Sequence, residues 1–446
     1  MRRPETRVDR RLPEEGREVA AARSEVGYLE LLRGNVAFRR IWYGAVASDL
    51  GDWFSTIAIY LLIERLTGSP FALGLVFVTK MLPFALASPL AGLVADRVSR
   101  KWLMIAADVA RAVCALGLLL VREPERVWLL YALSALQMIA AAFFIPARSA
   151  AIPNITRENE LLTANALSAS TWSALLAIGA ALGGFVTEAI GIQGVFILDS
   201  VTYLVSAYFI YRTVIPQRTE KPESGGLVVM AVRDVVSGWG YLRSQPRVAR
   251  IALTKATWSL GGGALVYMLA LLGPILAPAT PAIGIGWLYA VRGLGTGVGP
   301  LAARVYIPDR RMWPAMMGIG IAITGILYIG LGSVSWTWWV LIPVFLAHTT
   351  SGANWVTSTV LLQERTEDRY RGRVFATEWL LITLADTASI LVASVLLERG
   401  LLDLRQGFVA FAAFQVVCGL FWLATVARRE AKAGTPRVGG NRQADA

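Results

Sequence analysis

Histidine and cysteine are scarce in this sequence. One histidine, His348, and two cysteines, Cys114 and Cys418, occur among 446 residues, and both cysteines lie in apolar stretches. So few imidazoles and thiols predict neither a metal site nor a disulfide framework. We also find no nucleophile beside a base and no Gly-x-x-x-x-Gly-Lys-Ser/Thr loop. We therefore expect no enzyme activity, no bound cofactor and no direct use of ATP.

Charged residues are scarce too. They form 17% of the chain, and 55% of the chain is hydrophobic, whereas soluble domains are about 25% charged. The apolar residues fall in blocks of roughly 20, the helix length that crosses about 30 Å of hydrocarbon. The net charge of +12 lies mostly in connections and tails between these blocks, which argues against a nucleic-acid partner. The sequence therefore predicts a polytopic α-helical protein whose surroundings are a lipid bilayer.

Alternate connections between the apolar blocks differ in charge. Lys and Arg concentrate in connections such as 97–101, 212–243 and 365–373, and the connections between them are short and poor in both residues. Because cytoplasmic connections carry the excess of Lys and Arg, we expect the basic connections and both termini in the cytoplasm. The twelve predicted spans are 38–63, 70–95, 102–121, 127–147, 163–187, 191–212, 248–272, 284–303, 313–333, 337–361, 373–397 and 405–427.

The longest connection divides the chain into two halves. Val232, Val236 and Trp239 recur in it at helical spacing, which predicts a helix lying on the cytoplasmic face. Similar connections, Thr156–Glu160 and Arg365–Arg369, follow the fourth and tenth spans and indicate an internal duplication. We expect an all-α fold of two pseudo-symmetric six-helix bundles. The predicted segments are an N-terminal tail 1–36, a bundle 37–213, a linker 214–247, a bundle 248–428 and a C-terminal tail 429–446.

The connection after the second span has a distinctive pattern of charges. It reads Gly92-Leu-Val-Ala-Asp96-Arg97-Val-Ser-Arg100-Lys101. Gly92 allows a neighbouring helix to approach closely, and Asp96 and the three cations can pair across helices or with a helix end. An ordinary basic connection would not require this spacing.

This pattern resembles the signature of the major facilitator superfamily of transporters. Other segments resemble one branch of it, the macrolide-efflux and enterobactin-exporter relatives of drug–proton antiporters. The resemblance implies that Asp96, Arg97 and Arg148 form a conformational latch in the outward-facing state. The supporting segments are Asn35-x-x-Phe38-Arg39-Arg40-x-Trp42, Gly51-Asp52-Trp53, Asp108-x-x-Arg111, Pro146-Ala-Arg148-Ser149, Leu161-Leu-Thr-Ala-Asn165-Ala-Leu and Arg371-Gly372-Arg373-Val-Phe.

One segment departs from the family pattern. Antiporters of this superfamily often carry a Gly-Pro-rich motif in the fifth span, whereas this chain has Gly179-Ala-Ala-Leu-Gly183-Gly184 and no proline there. The glycines predict close helix packing, but the incomplete motif leaves the direction of coupling open. A second glycine series, at 293, 295, 297 and 299, lies within a span and also predicts close packing rather than a nucleotide loop.

Several carboxylates lie inside predicted spans, where a charge costs a few kcal/mol and is a candidate for function. Asp49 and Asp52 are three residues apart in the first span and are predicted to share one face. Two carboxylates so placed are expected to include one that carries a proton near neutral pH. Glu378 and Asp386, two turns apart in the eleventh span, are further candidates for proton coupling.

Cations and aromatic side chains are the candidates for a substrate cavity. Lys80, Lys255 and Arg292 either contact substrate or protons, or pair structurally with buried carboxylates. Asp108 with Arg111 is interpreted as a structural pair, and Asp199 as a structural residue. His348 either titrates or hydrogen-bonds a neighbour in the packing. The aromatic candidates for the cavity wall are Trp53, Trp258, Trp355 and Trp379, and Phe54 and Trp287 are also considered.

Together these features favour a secondary transporter. The most specific prediction is proton-coupled export of a hydrophobic or amphipathic small molecule, such as a drug, a macrolide, a siderophore or a metabolite. We expect a monomer in the cell membrane whose partners are lipid, substrate and protons. Three alternatives stay open: a lipid or lysophospholipid flippase on the same fold, a non-transporting membrane sensor or scaffold, and nutrient uptake by symport.

Overall fold

The computed structural model describes residues 26–217 and 226–433, and every regular element within these ranges is a helix. Most of the predicted N-terminal tail (1–25), the end of the C-terminal tail (434–446) and the start of the predicted linker (218–225) lie outside the described residues. The predicted all-α fold class is confirmed for the part of the chain that is described.

Local sequence signals set the helix ends of the first bundle. The Asn35 side chain accepts a hydrogen bond from the N–H of Phe38 (2.9 Å) and so caps α2. Gly68, with φ 57°, ends α2 in the left-handed region. Ser69 then caps α3, which has Pro70 at its first position. The bounds are α1 Tyr28–Gly34, α2 Val36–Thr67, α3 Pro70–Arg97, α4 Arg100–Gly117, α5 Val127–Ile155 and α6 Glu158–Tyr211.

Helix α6 contains two of the predicted spans. Gly191 has φ 74° and ψ 164°, a conformation that other residues adopt with strain, and it breaks the long helix at the predicted connection. We call the part before Gly191 the first arm of α6 and the part after it the second arm. The first bundle therefore has six crossings in five helices.

A helix between the bundles and the second bundle follow. In α7, the region where the cytoplasmic-face helix was predicted, Val229, Val232, Val236 and Trp239 are exposed, whereas Tyr241 is buried. Asp403 and Gln406 form a reciprocal cap at the start of α13. The bounds are α7 Leu227–Ser244, α8 Pro246–Leu276, α9 Pro281–Tyr306, α10 Trp313–Ser333, α11 Leu341–Arg365, α12 Asp368–Glu398, α13 Leu404–Trp422 and α14 Arg428–Ala433.

Length and composition agree with twelve crossings. Nine helical segments of the described chain are long and apolar enough to cross a membrane, and one of them is α6 with its two arms. The two remaining predicted spans, α9 and α11, fall below that apolar limit. Helix α9 contains Arg292 and many glycines, and α11 contains His348, Asn354 and several threonines. Their polar composition follows from burial inside the protein, which removes the need for an apolar surface.

The two bundles meet along two pairs of helices. In the first bundle α2 packs on α6, and α5 packs on α3 and α4. In the second, α8 packs on α12, α9 on α11 and α10 on α13. Between the bundles α3 packs on α12, and the first arm of α6 packs on α9. These pairs join the second span to the eleventh and the fifth to the eighth, so they are equivalent under the predicted duplication.

Glycines allow the close approach of these helix pairs. A Cβ atom at Gly293 would lie 2.8 Å from the backbone of Ala177, and one at Gly74 would lie 2.7 Å from the Ser394 Cβ. Side chains at Gly295 and Gly299 would likewise overlap the backbone of α11. The predicted close packing of the second glycine series is confirmed at 293, 295 and 299. It is wrong at 297, where a side chain would meet no atom within 4 Å.

Candidate functional site

The two bundles contact each other at the end that carries the short connections. Glu398 of α12 accepts hydrogen bonds from the Ser69 hydroxyl (2.7 Å) and the Phe71 N–H (3.1 Å), at the start of α3. Glu188 of α6 accepts one from the Ala282 N–H (2.9 Å), at the start of α9. Each glutamate therefore caps a helix of the opposite bundle, where free N–H groups and the helix dipole favour a carboxylate. We call this region the sealed end.

The opposite end carries the predicted latch, whose residues lie apart. A side chain at Gly92 would meet nothing within 4 Å, and Asp96, 58% exposed, lies 3.5 Å from Arg100 of its own connection. Arg97 contacts the sulfur of Met230 in α7 at 3.2 Å. The Arg148 guanidinium lies 3.9 Å from Asp49 rather than beside Asp96. The latch is not assembled in this conformation, and it stays a prediction for the opposite one.

The other two cations of that connection bind backbone within the first bundle. Arg100 donates to the carbonyl of Ala150 (2.8 Å), and Lys101 donates to the carbonyl of Tyr211 (2.7 Å). Both contacts fasten the connection to its own bundle. They place the predicted latch residues on one side of the gap between the bundles.

A cavity of about 260 Å³ lies between the bundles. Five of the predicted candidates line it: Trp53 and Lys80 from the first bundle, and Trp258, Arg292 and Asp386 from the second. A neighbouring pocket of about 200 Å³ shares Lys80 and is lined by Trp379. The further lining residues of the cavity are Thr56, Tyr60, Phe77, Met81, Gly263, Val266, Tyr289 and Ile390.

The cavity wall contains polar atoms without partners. The Lys80 ammonium donates to the Thr56 hydroxyl (2.6 Å), and the Arg292 guanidinium lies 5.8 Å from the Tyr289 ring centre. Among the described residues, neither cation has a carboxylate within 4.0 Å. The Nε of Arg292, the Nε1 of Trp258 and Oδ1 of Asp386 have no hydrogen-bond partner in the described part of the chain. Buried polar groups of this kind require a partner.

Arg111 joins two carboxylates in the first bundle. It binds Oδ2 of Asp52 at 2.6 Å and Oδ1 of Asp108 at 3.2 Å, and its guanidinium lies 4.2 Å from the centre of the Tyr203 ring. The Tyr203 hydroxyl donates to the other oxygen of Asp52. The predicted pairing of Asp108 with Arg111 is present, and Arg111 also binds Asp52.

Asp199 lies behind this cluster, on the second arm of α6. It is fully buried, and neither of its carboxylate oxygens has a hydrogen-bond partner among the described residues. A Cβ atom at Gly51 would lie 2.6 Å from Oδ1 of Asp199, so the glycine of the Gly51-Asp52-Trp53 segment provides the space for this carboxylate. A buried carboxylate without a partner is unfavourable while it is charged.

Asp49 and Asp52 do not act on a common partner. Asp52 is directed to Arg111 on α4, whereas Asp49 lies 3.9 Å from Arg148 on α5, in a small pocket with Trp42. Neither aspartate lines the cavity. The two carboxylates predicted to share one face each bind their own arginine in this conformation, and their part in proton coupling stays a prediction.

The second bundle contains a closed ion pair. Lys255 binds Glu378 at 3.0 Å, donates to the Thr359 hydroxyl at 2.9 Å, and lies 4.5 Å from the centre of the Trp355 ring. Trp355 and Trp379 meet edge to face at 6.1 Å. Lys255 and Trp355 line neither the cavity nor the neighbouring pocket. Glu378 is thus paired, whereas Asp386, two turns away, faces the cavity.

His348 lies outside the cavity wall. It is buried, and its Nε2 is 3.0 Å from the Tyr328 hydroxyl. Its ring packs edge to face on Trp258, a lining residue, at 6.2 Å. Of the two alternatives for His348, this conformation shows the hydrogen bond to a packing neighbour; as a cavity candidate, His348 is not a lining residue and supports the wall from behind.

Comparison with known proteins identifies the family. The Major Facilitator Superfamily model matches residues 41–385. The chain belongs to the major facilitator superfamily. It is 24% identical over 409 residues to the uncharacterized MFS-type transporter YfiS of Bacillus subtilis, covering 88% of this chain and 94% of that protein. It is 23% identical over 376 residues to macrolide efflux protein A of Streptococcus pyogenes, covering 81% and 89%.

A solved structure shows the same fold. A bacterial homologue of the human lysosomal transporter Spinster, in an inward-facing and unoccupied conformation, has a TM-score of 0.68 to this chain at 15% identity, covering 89% of this chain and 97% of that one. This major facilitator is a multi-pass membrane transporter with efflux-type relatives, as the sequence predicted. Its family is one of transporters and not of enzymes.

Two features of this transporter's site were not expected from its sequence. Tyr203 binds Asp52 across 151 positions of the chain, and Arg111 binds it across 59. The signals were the polar residues Tyr203 and Arg111 inside apolar spans, but the sequence does not say which helix faces which. The unpaired state of Asp199 was hidden for the same reason.

Proposed function

We propose that this chain exports a hydrophobic or amphipathic small molecule across the cell membrane, in exchange for protons. The observation that carries the proposal is the cluster of Asp52, Arg111 and Asp108 with the unpartnered Asp199 beside it. Buried carboxylates that share one cation are suited to taking up and releasing a proton. The relative named as a macrolide efflux protein supports export as the direction.

Alternating access supplies the transport step. The sealed end is joined by Glu188 and Glu398, and the opposite end has its latch residues apart. With the termini on the cytoplasmic side, as the charge pattern predicts, this conformation faces the cytoplasm. Rocking of the bundles would break the two glutamate caps and assemble the latch on the other side.

The proton cluster is linked to the cavity through one turn of α2. The Thr56 hydroxyl donates to the backbone carbonyl of Asp52 (2.6 Å) and accepts from the Lys80 ammonium (2.6 Å). Protonation of Asp52 would release Arg111 toward Asp108 and change the field at Lys80. A change of protonation at the cluster therefore alters the cavity wall. Because coupling between two binding sites is reciprocal, substrate bound at the wall must also change the proton affinity of the cluster.

Proton-driven flux in proteoliposomes tests this function. With an imposed pH gradient and a panel of anionic, neutral and cationic amphipathic dyes as transported probes, we expect Asp52→Asn and Asp199→Asn each to reduce at least tenfold the gradient-driven flux of every dye that the parent chain carries. Asp368→Asn is the matched control, because Asp368 is 91% exposed and pairs only with Arg371 in the described chain. Undiminished flux in both Asp52→Asn and Asp199→Asn would overturn proton coupling at this cluster.

Lysophospholipid flipping is a second candidate function. An open, mainly apolar groove of about 540 Å³ lies between α7, α8 and α12, lined by Trp239, Leu253 and Leu381 with Arg243 at its polar edge. Its shape suits an acyl chain with an anionic headgroup beside the arginine. The same proteoliposomes with a fluorescent lysophosphatidylglycerol decide between the candidates: flipping that is lost in Trp239→Ala, with no flux of any dye of the panel, would favour the flippase.

A further inference from the structure

The central cavity is positively charged on both of its sides. Lys80 enters it from α3 of the first bundle, and Arg292 enters it from α9 of the second. Lys80 is held by a neutral hydroxyl, and Arg292 has an Nε without a partner among the described residues. Each of these cations is expensive to keep within a membrane protein unless an anion lies close to it.

Among the residues that the structure describes, no carboxylate neutralises this pair by direct contact. Asp52 and Asp199 belong to the first bundle and do not line the cavity, and Asp52 is already bound by Arg111 and Tyr203. Asp386 is the one acidic residue in the cavity wall, and its Oδ1 has no partner in the described chain. Two cations and one carboxylate leave room for one further negative charge.

We infer that the substrate carries an anionic group, of the carboxylate type, that binds between Lys80 and Arg292, with an aromatic or apolar body against Trp53 and Trp258. The inference rests on the proposed transport function and names the class of molecule that this cavity accepts. A volume of about 260 Å³ is at the small end of ligand pockets, which run from about 300 to 1,000 Å³. The space suits a bicyclic aromatic acid, and Asp386 is placed to accept a hydrogen bond from a donor on it.

The position of the two cations also explains how such a substrate acts on the conformation. They belong to opposite bundles, so any movement that narrows the cavity brings two positive charges together in a region of low dielectric. An anion between them turns that repulsion into two attractions. Substrate binding would therefore favour closure of the bundles around it, because a ligand shifts a conformational equilibrium by its difference in affinity for the two states.

Equilibrium binding to the full chain in nanodiscs, without a pH gradient, tests the inference. The probes are 1-naphthylacetate, its uncharged amide 1-naphthylacetamide, and the cation 1-naphthylmethylamine, which share one aromatic body. We expect the acid to bind at least tenfold tighter than the amide, and the amine to bind weakest. Lys80→Gln and Arg292→Gln should each weaken acid binding at least tenfold, and Asp386→Asn should strengthen it a few-fold.

Controls separate charge recognition from loss of folding. Lys80→Arg and Arg292→Lys keep the charge and should retain binding within about threefold, and Arg369→Gln, at a side chain that is 74% exposed, should not change it. Equal or tighter binding of the amide or amine would overturn the inference, as would acid binding that is unchanged in both Gln variants. No binding of any probe at 10 mM would overturn it too.

The outcome can be told apart from failure of the proposed function. Loss of the acid preference while gradient-driven flux still depends on Asp52 would remove this inference alone. Acid binding that depends on Lys80 and Arg292, with flux indifferent to Asp52 and Asp199, would remove proton coupling and leave the binding site.

Discussion

The two bundles share one scaffold but use their buried charges differently. In the first, one cation, Arg111, is shared between Asp52 and Asp108, and Asp199 has no partner among the described residues. In the second, Lys255 and Glu378 form a closed pair, away from the cavity. A shared cation can move between its partners, whereas a closed pair holds one arrangement.

This difference suggests a division of work after duplication. The sealed end has kept its symmetry, because Glu188 and Glu398 cap equivalent helices of opposite bundles. The centre has lost it: the charge cluster lies in the first half, and the second half supplies Arg292 and Asp386 to the cavity. A symmetric end suits a rocking motion of the two bundles. An asymmetric centre suits a proton site in one bundle that is coupled to a substrate site between the two bundles.

The largest effect is expected at the shared cation. Arg111→Gln leaves the fully buried Asp108 and the 32% exposed Asp52 without their guanidinium, and removal of one partner from a buried ion pair costs about 3–5 kcal/mol. We expect the free energy of unfolding in detergent to fall by about that amount and gradient-driven flux to be lost. The triple variant Arg111→Gln, Asp52→Asn, Asp108→Asn should regain much of the stability and none of the flux.

A shared cation with a functional role requires both that the triple variant regains stability and that it does not transport. If the triple variant transports normally, the cluster is structural and the division of work between the bundles is wrong. If it stays as unstable as the single variant, the cost lies in packing against Tyr203 rather than in uncompensated charge.

A smaller effect is expected at the closed pair. Lys255→Met with Glu378→Leu removes both charges together, and such replacement of a buried ion pair is often neutral or stabilising by about 1–4 kcal/mol. We expect unchanged stability or a modest gain, and flux within about threefold of the parent chain. Either single substitution should destabilise the protein, because it strands one buried charge. Flux abolished in the stable double variant would contradict the structural role and place proton coupling in the second bundle as well.

Sequence patterns predicted the fold better than the site. The spans follow from apolar length, and the breaks at Gly68 and Gly191 follow from residue type. Charged and large aromatic side chains inside spans were predicted as cavity or proton residues, because such side chains are costly or unusual in a bilayer unless they serve a function. Five of them line the cavity: Trp53, Lys80, Trp258, Arg292 and Asp386.

Partners were harder to predict than positions. Helical spacing shows which residues share a face of one helix, but it does not show which helix they meet. Asp49 and Asp52 were predicted to share a face, but their spacing could not show that they meet different arginines, and Arg148 was assigned to the latch alone although it lies beside Asp49. For His348 the sequence left a titrating role and a packing hydrogen bond open, and its contact with Tyr328 behind the wall residue Trp258 is visible only in the fold.

The smallest effects are expected at the symmetric sealed end. Glu398→Gln weakens two hydrogen bonds to the start of α3, and Glu188→Gln weakens one to the start of α9. A carboxylate at a helix N-terminus contributes about 0.3–1 kcal/mol, so each change should shift the balance toward opening of the sealed end by about two- to fivefold, with Glu398→Gln giving the larger shift.

The measurement is the rate at which a membrane-impermeant maleimide, added on the side of the short connections, labels Val266→Cys in the cavity wall. The chain used has Cys114 and Cys418 replaced by Ser. Roughly additive rates in the double variant would mean that the two caps hold the same closed state independently. A rate unchanged by either substitution would mean that packing of α3 on α12 and of α6 on α9 closes this end without them, and the symmetry of the caps would then have no part in the transport cycle.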